Sequence, residues 1–454
     1  MTQYKCLPAF LAPLFLLACS SEPGGIEVAV MCHVGSYRLD SGEILDLAPN
    51  PANTSALRWR TLDGRSGSVT RGEHGVWTGT TGWSEEADPA RVTLGDCNNR
   101  TVAVAGIDGV DGQGMRIAYT VQETRFQGEG ETLAGRLILP PGEGPFPLVV
   151  LVHGSEDTSA LDFAYYQRIL PAQGVASFVY DKRGTGRSTG EYTQDFHLLA
   201  ADAAAALEEA RRLAGERASA VGYLGGSQGG WVAPLAATLG EPDFVMVGFG
   251  LAEGPLAEDR EEVLNDLAEA GFDDPDVLAT ARDITDVTGR IMASGFSEGR
   301  EDLARIREVH ADAPWYSAIE GEYTGDMLNK PLWRVQLAYF MEDIGTSWAY
   351  EPVAVLRQID VPMLWVLAGA DREAPSATTR RILEGLQTEG RPIDIAFFPE
   401  AGHSMTRFIQ AGDGERTITG YADGYFRLLG EWPVSYAFGD GYGDAVLSPR
   451  RRVE

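Results

Sequence analysis

Positive charge is scarce in this chain: 37 lysines and arginines stand against 66 aspartates and glutamates, a formal net charge of −29 over 454 residues. That balance repels phosphate backbones and removes the electrostatic term that drives most nucleic-acid binding, so nucleic acid is not an expected partner. The excess itself reads as a well-solvated surface and sets no substrate charge. Cysteine and histidine are also few, at four and six, with no His-Glu-x-x-His and no clustered Cys/His set, so no metal site is expected. No cofactor is implied. There is no internal repeat and no long low-complexity segment.

A short apolar run over 9–18 follows Lys5 and leads into Leu16-Leu17-Ala18-Cys19, the form of a bacterial lipoprotein signal. The run is too short for a permanent membrane-spanning helix. Residues 1–19 are therefore expected to direct export, with Cys19 taking the lipid and anchoring the protein to a membrane of the cell envelope, in the periplasm or outer membrane. An ordinary cleaved signal is the alternative, and it too leads to export. Cys6 leaves with the signal, so Cys32 and Cys97 are the pair left in an oxidising compartment, where a disulfide between them is expected; two buried thiols are the alternative.

A chain of this length, with 44% hydrophobic residues, suits a large catalytic unit plus a smaller module. Over 26–110 short apolar stretches are broken by Gly, Asn and Asp without a helical period, which predicts a small β-rich domain with Trp59, Trp77 and Trp83 as candidate core. From about 115 strand-like runs alternate with helical patterns, the signature of a mostly parallel sheet covered by helices. The runs 148–152, 176–180, 220–224, 244–249, 363–368 and 393–398 are apolar but for Ser177 and Asp394, as strands buried on both faces should be. The resulting expectation is an α/β catalytic domain over 115–251 and 358–432, a helical cap insertion over 252–357 and a C-terminal tail over 433–454. Of the cap aromatics Trp315, Tyr316, Trp333, Tyr339, Phe340, Trp348 and Tyr350, most are expected to pack the insertion's own core, the remainder to line a substrate pocket.

Three segments match G-x-S-x-G, centred on Ser188, Ser227 and Ser297, so the pattern alone is weak in a chain with 54 glycines. Context selects Ser227, in Gly225-Gly226-Ser227-Gln228-Gly229, because it alone lies between a strand-like run and a helical one. Small flanking residues let the chain turn sharply there, and the following helix points its N-terminus at a developing oxyanion. A serine hydroxyl needs a base to take its proton, and that base needs a carboxylate to fix its tautomer. His403 follows the 393–398 run in a Gly-containing loop, and Asp371 follows the 363–368 run, with Glu373 and Glu400 as fallback acids. His33, His74, His197 and His310 read as structural. Fixed N–H donors for the tetrahedral intermediate are expected at Ser155 and Gln228, the first in His153-Gly154-Ser155 directly after the 148–152 run. His153 itself reads as a loop-ordering residue.

His153-Gly154-Ser155, Tyr180-Asp181-Lys182-Arg183-Gly184, the Ser227 elbow, Asp371 and Gly402-His403 occur in this order, and together they resemble the α/β-hydrolase superfamily over about 115–432. The likeness is nearest to bacterial carboxylesterases of the EstD type, which also carry an amino-terminal β-rich extension and a helical cap. It implies an α/β-hydrolase fold and an Asp181-Lys182-Arg183 turn that shapes the loop beside the site. Glu156-Asp157 is a departure toward acidity that bears on leaving-group preference.

The expected activity is cleavage of a small-molecule carboxylic ester by Ser227, His403 and Asp371 through an acyl-enzyme. A serine peptidase or aminopeptidase-like hydrolase is one alternative. An envelope-binding lipoprotein with a non-catalytic hydrolase domain is another. The sequence leaves acyl preference and oligomeric state open.

Overall fold

The structure is a computed structural model that describes residues 28–72, 75–341, 344–412 and 414–451. The signal segment with Cys19, and His74, lie outside the described residues. No helix among the described residues is long and apolar enough to cross a membrane.

The N-terminal domain is a closed eight-stranded barrel of β1 (Gly35–Leu39), β2 (Ile44–Asn50), β3 (Asn53–Thr61), β4 (Ser66–Arg71), β5 (Val76–Thr81), β6 (Arg91–Leu94), β7 (Thr101–Ala105) and β8 (Gly112–Arg116). Each strand runs antiparallel to the next, and β8 returns to β1 through Tyr37↔Arg116 and Leu39↔Gly114. Closure leaves no free sheet edge. Alternate residues such as Leu45, Leu47, Leu57, Trp59, Val69 and Trp77 fill the interior. The barrel extends to Arg116, past the boundary near 110 drawn from composition, because the sequence Gly112-Gln113-Gly114-Met115-Arg116 of β8 lacks an apolar run. Trp83 is not core: it is 42% exposed on the outside of the barrel, under the Arg58 guanidinium at 3.8 Å. A disulfide joins Cys32 to Cys97, tying the segment before β1 to the loop between β6 and β7. Among the described residues, Cys32, His33 and Cys97 are the one cluster of possible metal ligands, and its two sulfurs are already bonded to each other.

The second sheet has the order β19-β16-β15-β14-β13-β11-β12-β10-β9. Its strands are β9 (Thr120–Gln127), β10 (Thr132–Leu139), β11 (Phe146–Val152), β12 (Ala176–Tyr180), β13 (Ala218–Gly226), β14 (Val245–Gly248), β15 (Met363–Ala368), β16 (Ile393–Phe398) and, after a hairpin of β17 (Thr406–Gln410) and β18 (Arg416–Tyr421), β19 (Val446–Ser448). The six strands from β11 to β16 are mutually parallel. They read as mainly apolar runs because both faces are covered. In β15, Met363, Trp365 and Leu367 face one core with helices Phe196–Ala214, Gly229–Ala237 and Ser376–Thr388, whereas Leu364, Val366 and Ala368 face the other, with helices Tyr166–Ala172 and Tyr425–Ser435. The α/β domain does not stop at 432. Its last helix runs to Ser435, and β19 within the supposed tail adds an antiparallel edge to β16.

Five helices between β14 and β15, from Pro255–Glu269 to Leu332–Met341, form a cap with its own core. Of the aromatics read there, Tyr316 is buried in that core and Trp315, Tyr339 and Trp348 pack against it. Tyr350 belongs instead to the core of the α/β domain, edge-on to Phe196 at 5.4 Å, and Trp333 and Phe340 are exposed.

The barrel docks on the α/β domain through the outer faces of β2 and β3. Every residue of β2 is buried, so its period-two pattern disappears. Asp46, 1% exposed, accepts from Arg168 Nε at 2.8 Å and Nη2 at 3.2 Å across the junction. The β17–β18 hairpin is joined to the barrel by backbone bonds, Tyr421 N–H to Gly64 O at 2.7 Å and Trp83 N–H to Ile418 O at 2.8 Å.

Candidate active site

The site lies at the carboxyl ends of the parallel strands, where an open α/β sheet reverses its order and leaves a crevice. Ser227 stands between β13 and the helix Gly229–Ala237 with φ of 51°, a left-handed conformation that costs a non-glycine residue about 1–2 kcal/mol. Ser227 N–H donates to Gly248 O at 3.2 Å, and Ser227 O accepts from Gly230 at 2.7 Å, so backbone bonds hold the turn. The flanking glycines are obligatory: a Cβ at Gly225 would come 2.0 Å from Gly229 O, and one at Gly229 2.5 Å from Val152 O. Ser227 is half-buried, and its hydroxyl makes no hydrogen bond among the described residues. The other two matching serines are tied into structure. Ser188 Oγ donates to Asp181 O at 2.5 Å and accepts from Ala134 N–H, and Ser297 Oγ donates to Ser294 O.

His403 follows β16 in a tight loop fixed by Gly402 N–H to Thr406 O at 2.8 Å and Thr406 Oγ1 to His403 O at 2.7 Å. Ser404 and Met405 adopt φ of 58° and 59°, which turn the chain so that the imidazole meets Asp371. His403 Nδ1 lies 3.0 Å from Asp371 Oδ2 and 3.2 Å from Oδ1. Asp371 is buried, and its Oδ1 also accepts the N–H groups of Glu373 and Ala374 at 3.0 and 2.9 Å. Burial alone would lower the imidazole pKa; the hydrogen bond and charge of Asp371, with Glu373, prevail and hold it above 6.5. The structure thus brings His403 and Asp371 together but forms no hydrogen bond from Ser227 to His403. His403 Nε2 instead has Glu373 Oε2 at 3.6 Å, and Phe249 lies edge-on to the imidazole at 5.2 Å. Catalytic hydrogen bonds are often open until substrate is bound. Glu400 is exposed.

Ser155 follows β11, and the loop lies against the elbow: a Cβ at Gly154 would sit 3.4 Å from Ser227 Cβ. Gln228 is at the N-terminus of the helix Gly229–Ala237, and neither its N–H nor that of Ser155 donates a hydrogen bond among the described residues. The Asp181-Lys182-Arg183 turn, expected to shape this loop, does so through Lys182, and Tyr192, which carries no motif, joins it. Lys182 Nζ donates to Gly154 O at 2.8 Å, Tyr192 OH donates to Ser155 O, and the Lys182 ammonium lies 4.8 Å from the Tyr192 ring centre. Burial pushes the Lys182 pKa down to about 8. Asp181 accepts from Ser159 Oγ, Leu161 N–H and Arg187 N–H, and Arg183 clasps Asp202 at 2.7 and 2.8 Å, so the Asp-Lys-Arg turn organises three segments around the loop. His153 Nε2 bonds Tyr180 O at 2.5 Å, which occupies it in ordering the loop. His33 packs edge-on to Trp77, His197 near Tyr350 and His310 on Trp315, away from this site.

A cavity of about 790 Å³ contains His403 in its wall and is lined from both domains, by Asn50, Arg58 and Trp83 of the barrel among others. None of the seven cap aromatics lines it.

Sheet order, elbow and strand-end loops define an α/β-hydrolase fold. The chain belongs to the serine aminopeptidase S33 family, whose model matches residues 144–407. It is similar to Esterase FrsA of Enterobacter sp. (strain 638), 32% identical over 24% of this chain and 27% of that protein. It is also similar to a putative carboxymethylenebutenolidase of Methylorubrum extorquens, 32% identical over 24% of this chain and 36% of that one. The match thus spans about a third or less of these curated relatives. Among solved structures, a Pyrococcus furiosus esterase aligns over 63% of this chain and 85% of its own, with 14% identity and a TM-score of 0.38. A Pyrococcus horikoshii acylaminoacyl peptidase aligns over 77% and 50%, with 14% identity and a TM-score of 0.40.

Proposed function

We propose that the protein is a serine hydrolase that cleaves carboxylic esters, of the EstD carboxylesterase type, with Ser227 as nucleophile, His403 as base and Asp371 as its orienting carboxylate. The observation that carries this reading is the Asp371–His403 hydrogen bond at 3.0 Å, on loops that follow adjacent strands beside a serine held at positive φ. His403 Nε2 takes the Ser227 proton as Oγ attacks the carbonyl carbon, and the N–H groups of Ser155 and Gln228 receive the negative oxygen. Collapse breaks the bond to the leaving oxygen, which takes the proton from His403. Water then repeats the sequence on the acyl-enzyme, releasing the acid and restoring Ser227.

The family's serine aminopeptidase description keeps peptide hydrolysis as the second reading. The Leu16-Leu17-Ala18-Cys19 pattern supports an exported protein anchored in the cell envelope by lipid on Cys19.

The test is hydrolysis of short and medium para-nitrophenyl esters and labelling by a fluorophosphonate, in wild type and Ser227→Ala. Turnover and labelling that vanish together in the variant support the reading. Folded wild type that neither turns over nor labels refutes it.

A further inference from the structure

The cavity at His403 reverses the charge pattern of the chain. In a protein of net charge −29, its wall holds four guanidinium groups, Arg58 and Arg60 of β3, Arg372 beyond β15 and Arg416 of β18, against one carboxylate, Glu373; behind the wall Arg372 pairs with Glu269 at 2.8 Å and Arg60 lies 3.8 Å from Asp46, which leaves Arg58 and Arg416 as the uncompensated pair among the described residues. Arg58 and Arg60 are only 4% and 6% exposed, and charge so far from water calls for a counter-charge. Arg58 has none: Nη1 donates to Gly82 O at 2.7 Å and the group stacks on Trp83, but no carboxylate pairs with it among the described residues. Burial and the charge of Arg60 push its pKa down to about 10. Arg60 stacks on Tyr165 at 4.0 Å and donates Nε to Tyr421 OH at 3.0 Å. Its Nη1 is buried without a hydrogen bond, and its counter-charge is Asp46, 3.8 Å away, which it shares with Arg168. Arg416 stacks on Phe408 at 4.0 Å and donates to Ala370 O at 2.5 Å, again without a carboxylate partner among the described residues.

A guanidinium group held flat against a ring keeps its donors in one plane, and those beyond the bonds just named suit in-plane recognition of a carboxylate. The side of the site is set by chemistry. His403 hands its proton to the leaving oxygen, so a cavity with His403 in its wall is where the leaving group sits. We infer that this junction between barrel and catalytic domain is the leaving-group subsite, and that the leaving group it takes is an apolar or aromatic alcohol bearing a carboxylate. The inference rests on the serine-hydrolase reading. It gives the barrel a role in specificity, through Arg58, Arg60 and Trp83.

The experiment compares para-nitrophenyl acetate with its analogue carrying a carboxylate ortho to the nitro group, each corrected by its hydroxide-catalysed rate. A charged hydrogen-bonded contact predicts kcat/KM about ten- to a hundredfold higher for the carboxylated ester in wild type. Arg58→Gln and the more exposed Arg416→Gln should each cut that ratio about tenfold. A ratio at or below one in a wild type that turns over the neutral ester overturns the inference, whatever the variants do. Calorimetric binding of the carboxylated nitrophenol product separates the two layers. If neither ester is cleaved but the product binds, and binds about tenfold more weakly to Arg416→Gln, the anion subsite stands and the hydrolase reading falls. Neither cleavage nor binding overturns both.

Discussion

Replacing Asp371 by asparagine tests the proposed site with little change of shape. The carboxylate has two separable duties: Oδ1 receives the N–H groups of Glu373 and Ala374, and Oδ2 lies nearest to His403 Nδ1. An asparagine keeps its carbonyl oxygen where two N–H donors demand an acceptor, which turns its amide NH2 toward Nδ1. The imidazole must then accept at Nδ1 and carry its proton on Nε2, the nitrogen that should take the Ser227 proton. A base locked in the wrong tautomer loses about ten-thousandfold in kcat, about 5 kcal/mol of barrier. The assay is the burst and steady-state hydrolysis of a para-nitrophenyl ester, with the fluorophosphonate labelling rate as a second reading of Ser227 reactivity. Thermal unfolding should stay within a few degrees of wild type, since the buried contacts of Asp371 survive. An Asp371→Asn enzyme within tenfold of wild type would refute the reasoning, since the other carboxylate in reach of His403, Glu373, lies at Nε2 and not at Nδ1.

Four further outcomes follow from the same contacts. Because Asp371 and Glu373 hold the His403 pKa above 6.5 and the unprotonated imidazole is the base, kcat/KM for a neutral ester should rise with pH through an inflection above 6.5; an inflection at or below that value contradicts the arrangement. Lys182→Met should free Gly154 O and lower kcat about ten- to a hundredfold with little change in KM, and an unchanged kcat would mean the loop holds itself. Asp46→Ala leaves Arg168 and Arg60 buried without their anion and should cost about 3–5 kcal/mol in denaturant unfolding. Opening the Cys32–Cys97 bond, which spans 65 residues, should cost about 4 kcal/mol on the chain-entropy account, measured on the Cys32→Ser, Cys97→Ser double variant.

The parallel strands were legible because burial on both faces writes a mainly apolar run, unbroken in Met363–Ala368 and interrupted in Ile393–Phe398 only by Asp394, which is buried and accepts from Trp432 Nε1 at 2.8 Å. Strands without that signal escaped. The glycine-rich β8 is held by closing the barrel, and the three-residue β19 by pairing along β16. The elbow at Ser227 was found by its context, since its pattern occurs three times. Asp371 and His403 could be placed because each directly follows a readable strand. Other parts of the site have no local signature. Trp83 looked like core, yet it lies outside the barrel as a platform for Arg58, and only the docked partner explains the exposed indole. Arg58 and Arg416 lie 358 positions apart in the chain and line one cavity, a relation that no periodicity can carry.

The junction also ties the barrel to the geometry of the proposed site. The loop that holds His403 runs directly into β17, and β18 returns to the loop through Ala422 N–H to Met405 O at 2.8 Å. The far side of the same hairpin is hydrogen-bonded to Gly64 and Trp83 of the barrel, and Arg60 reaches Tyr421 from β3. A two-stranded hairpin alone is marginally stable in water, so its position depends on what it is bonded to. Ser404 and Met405 hold strained left-handed angles in between, which persist only where neighbours on both sides dictate them. Misplacing a base by about 1 Å costs on the order of a hundredfold in rate. The barrel therefore acts on the proposed chemistry twice, by bracing the hairpin next to the base and by forming the wall against which a leaving group would lie.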